Sequence, residues 1–182
     1  MIPSVIDYLL QLPEAMHFAK VHELCSDGIS SYRMLSDYGS GTFQLIEFEN
    51  NLLLILIGDY KPKDTFEKIT EISEDYMEIS QFETDSSSFK IGGRKRNQVD
   101  KGIYCYLNTQ KKTYTYCEGG KAVRFTKVIL SPQYFQTYFK LHDENNARLL
   151  SSARDYLLKN PTSRNSISYF SRYGTARQRE LL

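Results

Sequence analysis

The sequence predicts an α+β fold. A small antiparallel β-barrel occupies residues 39–140, a helical arm and loop precede it over residues 1–38, and a helical segment follows over residues 141–182. Two observations predict the barrel. Short runs rich in β-branched and aromatic residues recur between residues 39 and 130, with turn-forming clusters between them. One of these runs, residues 52–57, is apolar on both faces, as a central strand requires. The helical ends follow from apolar residues at helical spacing on both sides of that core.

Taken in order, Ser4 caps a first helix in which Val5, Leu9 and Leu10 share a face. Pro13 interrupts it and starts a second helix containing Ala15, Phe18, Ala19 and residues 21–24. The Ser26-Asp-Gly28 turn ends the arm, and residues 28–41 read as a loop. Strands are expected at residues 43–48 and 52–57, joined by Asn50-Asn51. Residues 64–75 are acidic and read as a short helix or a solvated loop. Further strands are expected at 76–82, 89–92, 102–107, 113–117 and 123–130. Arg94-Lys-Arg96 reads as a solvated hairpin tip rather than a phosphate site. Glu118-Gly-Gly120 supplies a hairpin turn, and residues 131–139 a short helical piece. Asp143 caps a helix over 143–158, in which Leu150, Ala153 and Leu157 recur at helical spacing beside Leu149 and Tyr156. Residues 163–170 read as one more helix, and another begins near Thr175. With no cap or breaker after it, the chain is expected to be a fragment of something longer.

A length of 182 residues suits one domain, or one domain with an appendage. The chain is 41% hydrophobic and 25% charged, so a core of useful size is available. The net charge of +1 provides no global argument for nucleic acid or membrane, although residues 59–89 are acidic and residues 144–182 mildly basic. Cys25, Cys105 and Cys117 are odd in number and widely spaced, which argues against a disulfide framework and a zinc site. Cys105 and Cys117 fall on neighbouring predicted strands and read as packed thiols. The N-terminus lacks a basic region and Asp7 breaks its apolar run, so it is not read as a signal peptide. A cytoplasmic protein with no membrane association is expected.

The motifs of catalysis are missing. Metal-dependent barrel enzymes need two close histidines on one strand, yet His17, His22 and His142 all lie off the predicted core strands. The sequence holds no Gly-x-Ser-x-Gly element, no phosphate-binding glycine loop, and no histidine placed to serve a core cysteine. The expectation is therefore a protein that is not an enzyme and carries no metal and no cofactor. What stands out is 14 Tyr against no Trp. Tyr104 and Tyr106 share one strand face, and Tyr114 and Tyr116 share a face of the next strand. Pointing inward together, the four phenols would line a pocket for a small organic effector. Pointing outward, they would be cross-strand pairs that stabilise a hairpin.

The runs Gly39-Ser-Gly41, Phe89-Lys-Ile-Gly-Gly93, Gly102-Ile-Tyr-Cys-Tyr-Leu-Asn108 and Val123-Arg-Phe-Thr-Lys-Val-Ile-Leu-Ser-Pro-Gln-Tyr-Phe135 resemble the regulatory half of AraC-type transcription regulators. So do Tyr156-Leu-Leu-Lys-Asn-Pro161 and the closing residues 174–182. The resemblance implies a cupin-like barrel that binds an effector, followed by helices that dimerise. DNA would be bound only through a separate domain missing from residues 1–182. Leu149, Leu150, Ala153, Tyr156 and Leu157 form the expected seam of a homodimer. One alternative is a self-sufficient helix-turn-helix DNA-binding protein using helices 143–158 and 163–172. Another is a small β-barrel enzyme.

Overall fold

The computed structural model describes residues 4–48, 52–73, 75–91, 97–109, 112–131, 133–134, 137 and 167–171, with the backbone alone at 75, 89–91, 97, 105–109 and 167–171. Helix α1 (Val5–Ala15) is followed by strands β1 (Phe18–Lys20), β2 (Ile29–Met34), β3 (Gly39–Phe48) and β4 (Leu53–Pro62). Then come β5 (Phe66–Thr70), β6 (Asp75–Phe82), β7 (Ser87–Ile91) and β8 (Asn97–Val99). The last are β9 (Gly102–Thr109), β10 (Thr113–Cys117), β11 (Val123–Leu130) and β12 (Ile167–Ser171).

These strands form two antiparallel sheets. The larger has the order β1-β2-β3-β4-β11-β6-β9-β12, and the smaller has the order β5-β10-β7-β8. Four pairs are nested: β4 with β11, β5 with β10, β6 with β9, and β7 with β8. A long hairpin rolled across two sheets produces this nesting. It is the double-sheet jelly roll, the architecture that cupins share.

The expected fold class is corrected in three respects. The molecule is mostly β rather than α+β. Its core is two sheets rather than a closed barrel, because strands β4 to β11 are divided between two ladders and no single ladder runs round the core. Among the described residues the helical C-terminal segment is not seen: residues 167–171 pair as β12 with β9, where a helix is expected. Within the second helix of the helix-turn-helix alternative, residues 167–171 are thus a strand. The helix expected at 143–158, with Leu149, Leu150, Ala153, Tyr156 and Leu157, lies outside the described residues, as does Arg94-Lys-Arg96.

The N-terminal arm also differs from expectation. Ser4 caps α1 by accepting from the Asp7 N–H at 3.2 Å. Pro13 sits in the last turn, and α1 runs through it to Ala15. His17 then adopts a φ of 62°, which turns the chain. Its ring stacks on Tyr38 at 3.7 Å. Beyond that turn, β1 joins the large sheet and buries Phe18, so the second helix does not form. Val5, Leu9 and Leu12 recur at helical spacing and are buried, which packs α1 against the jelly roll.

Phe43, Leu45, Leu54, Leu56, Val123 and Ile129 are almost wholly buried and form the centre of the core. Around Phe125, the rings of Phe43, Tyr60 and Phe82 lie 6.0–6.3 Å away in tilted or edge-on contacts. Gly58 makes room for this cluster: a Cβ there would stand 2.6 Å from the Phe125 ring.

Candidate functional site: a charged cavity between the sheets

A cavity of about 140 Å³ lies between the two sheets, with α1 over it. Period-two alternation places the side chains that reach it. From β5 come Phe66, Lys68 and Thr70, and from β6 come Tyr76, Glu78, Ser80 and Phe82. From β10 come Thr113, Thr115 and Cys117, and from β11 come Val123, Phe125, Lys127 and Ile129. Helix α1 contributes Tyr8, Leu9, Leu12 and Met16. The small-sheet wall is thus rich in hydroxyls and the large-sheet wall in aromatic rings.

The charged groups are arranged unequally. Lys127 Nζ donates to Glu78 Oε1 at 2.7 Å, and the Ser80 hydroxyl donates to the same oxygen. Lys127 also stands 5.4 Å from the ring centres of both Phe82 and Phe125. Lys68 lies 5.1 Å over the Tyr8 ring and makes no hydrogen bond or ion pair among the described residues. The Tyr8 hydroxyl is shared with Thr70 Oγ1 at 2.7 Å, which ties α1 to β5.

These surroundings shift the acid–base behaviour. Burial, and then the neighbouring Lys127 ammonium, bring the Lys68 ammonium down to about 7, with the Glu78 carboxylate opposing them. For Glu78, burial pushes upward. The charge and hydrogen bond of Lys127, the Ser80 hydroxyl and Lys68 outweigh it, so the carboxyl sits below its ordinary value. Burial raises the Tyr8 phenol to about 12 and also raises the Cys117 thiol. Cys117 is buried beside the Tyr60 hydroxyl at 3.8 Å and Ser87 Oγ at 3.9 Å, an environment that keeps a thiol inert.

The four tyrosines of the sequence-based pocket do not converge. Strands β9 and β10 belong to different sheets, so they form no hairpin ladder, and Cys105 and Cys117 are not cross-strand neighbours. Tyr104 lines the cavity, and its hydroxyl accepts from the Asp100 N–H and donates to the Asp100 carbonyl, each at 2.9 Å. Tyr114 and Tyr116 alternate with Thr113, Thr115 and Cys117 and so lie on the opposite face of β10. The side chain of Tyr106 lies outside the described residues.

Sequence reasoning missed Lys68, Glu78, Lys127 and Tyr8. A signal for the first two was present as an inverted alternation. Ile69 and Ile79 are 48% and 39% exposed, while their neighbours Lys68 and Glu78 face the cavity. A charged residue alternating with an outward isoleucine marks a strand whose inner face is polar. Among the described residues, no group of three or more His, Cys, Asp or Glu converges as metal ligands would.

No family model and no curated protein matches the chain. Solved structures match it at low identity. The cupin domain of Cnp3 from Schizosaccharomyces pombe has 11% identity and a TM-score of 0.40, over 56% of this chain and 72% of that one. Ectoine synthase from P. lautus has 11% identity and a TM-score of 0.37, over 84% and 83%. Oxalate decarboxylase from Bacillus subtilis has 12% identity and a TM-score of 0.35, over 81% of this chain and 43% of that one. The fold assignment rests on the nested strand pairs above. The expectation that the chain is not an enzyme is withdrawn. Motifs local in sequence do not show Lys68, Glu78 and Lys127, which reach one cavity from three strands. Among the described residues, no helix is long and apolar enough to cross a membrane.

Proposed function

We propose that this jelly roll binds a small organic molecule in the cavity between its sheets. The observation that carries the reading is the pairing of an aromatic wall with a hydroxyl wall around a lysine whose side chain forms no ion pair among the described residues. Binding sites are built in this way, mostly apolar with a few placed polar groups. An engineered apolar cavity of about 150 Å³ accepts benzene, so a space of about 140 Å³ suits a one-ring ligand. The finer reading is an effector-sensing domain of a cytoplasmic AraC-type regulator, which dimerises and controls a DNA-binding domain elsewhere in the protein. Its support is the sequence resemblance together with a cavity that α1 helps to line.

Thermal unfolding of the chain with a library of one-ring compounds tests the binding. Members should raise the melting temperature of the wild type and not of Thr115→Phe, which fills the cavity. If no compound stabilises the wild type, the reading fails. Mass spectrometry of the stabilising compound after incubation shows whether it is released unchanged or converted.

A further inference from the structure

We propose that Lys68 is a nucleophilic amine that captures a small aldehyde or ketone as an imine inside the cavity, a step that rests on the ligand-binding reading above. The position of Lys68 makes the argument. It lies opposite Thr115 in the β5–β10 ladder, on the face that lines the cavity. Glu78 is the one carboxylate among the described cavity residues, and Lys127 and Ser80 already occupy it. Two ammonium groups in so small a space repel one another, and Lys68, which forms no ion pair among the described residues, gives up its proton more readily than Lys127, which is paired with Glu78. A lysine beside a second cation and partly withdrawn from solvent is activated in this way.

The groups around Lys68 come from every packed element: Tyr8 on α1, Glu78 on β6, Cys117 on β10 and Lys127 on β11. Burial and Lys127 bring Lys68 down to about 7, so much of it is neutral near pH 7. The buried Cys117 thiol is raised and does not compete. The rings of Phe82 and Phe125 offer an apolar seat for the carbonyl compound, and Thr70 and Thr115 offer hydroxyls to its oxygen.

The step balances without an outside oxidant or reductant. The Lys68 Nζ lone pair attacks the carbonyl carbon and forms a C–N bond. The carbonyl oxygen takes up the proton that nitrogen loses, giving a carbinolamine. The C–O bond then breaks, the hydroxyl takes up the second nitrogen proton and leaves as water, and C=N replaces C=O.

Benzaldehyde with sodium cyanoborohydride tests this on the whole chain at neutral pH, since hydride delivered to C=N leaves a stable secondary amine. Peptide mapping by mass spectrometry should find Lys68 labelled at least roughly tenfold faster than any other lysine. Lys68→Arg should lose that label. Benzyl alcohol, which has no carbonyl, should still raise the melting temperature of the wild type. Even labelling of all lysines, with stabilisation by benzyl alcohol intact, would overturn the imine and leave the binding site standing. Even labelling with no stabilisation would remove both. The wild-type label map decides the imine even if Lys68→Arg does not fold.

Discussion

Lys127 reaches diagonally across the β6–β11 ladder to Glu78, at 2.7 Å, although the register sets Lys127 opposite Ser80 and Ile129 opposite Glu78. The pair is largely removed from water, with 25% and 15% of the two side chains exposed. An ion pair so placed is costly to break from one side only. Glu78→Gln would leave Lys127 without its counter-ion and near Lys68. Urea denaturation should show a loss of roughly 3 kcal/mol. The double variant Glu78→Leu with Lys127→Met should recover most of it. A single-variant loss below about 1 kcal/mol would mean that the pair behaves as a solvated surface bridge.

Stability should depend on pH through Lys68. Its folded value of about 7 lies below the ordinary 10.5, so between those values the unfolded chain binds more protons. Stability from this group therefore rises with pH from about 7 towards 10.5, and its full penalty is present below 7. Lys68→Met should flatten that rise in a series of denaturation curves. Glu78 acts at the acid end: its contribution is present above the ordinary carboxylate value and lost as pH falls through the depressed folded value. Equal slopes for wild type and Lys68→Met above pH 7 would rule out the Lys68 effect.

Gly58→Ala should cost about 1–3 kcal/mol. The new methyl would meet Phe125 ring carbons at 2.6 and 2.7 Å. Phe43, Tyr60 and Phe82 surround that ring and leave it little room to withdraw. The denaturation midpoint should fall with the slope unchanged.

Tyr8→Phe should cost about 1 kcal/mol, the worth of a hydrogen bond whose partner Thr70 is left behind. The tie between α1 and β5 would loosen, so hydrogen exchange in α1 should quicken more than in β4 or β11. Uniform change across the chain would mean that the contact does not hold the helix down.

The homodimer proposal rests on the sequence stripe of Leu149, Leu150, Ala153, Tyr156 and Leu157. Light scattering should give twice the chain mass for the wild type and a folded monomer for Leu150→Glu with Leu157→Glu. A monomeric wild type at high concentration would remove the proposal.

The sequence alone located most of the jelly-roll strands. β10 and β11 could be read residue for residue, and β3, β4, β6, β7 and β9 to within a few positions, because alternation and turn residues act locally. β2 and β5 were read as loop or helix. Ser30 and Ser31 are buried on opposite faces of β2, and a charge, Lys68, stands on the cavity side of β5. At 167–170 the helical pattern loses to pairing with β9, a contact far away in the chain.

Tertiary structure alone decided the site. Alternation defines two faces of a strand but does not say which of them meets the other sheet. That depends on β9 and β10 entering different sheets, which turns Tyr114 and Tyr116 away and brings Thr115 and Cys117 in. It also depends on a space between the sheets that is not filled by side chains. Beside such a space an amine or a carboxylate can occupy an inner position without being pressed into hydrocarbon. That is why Lys68 and Glu78 face inward while Ile69 and Ile79 face out.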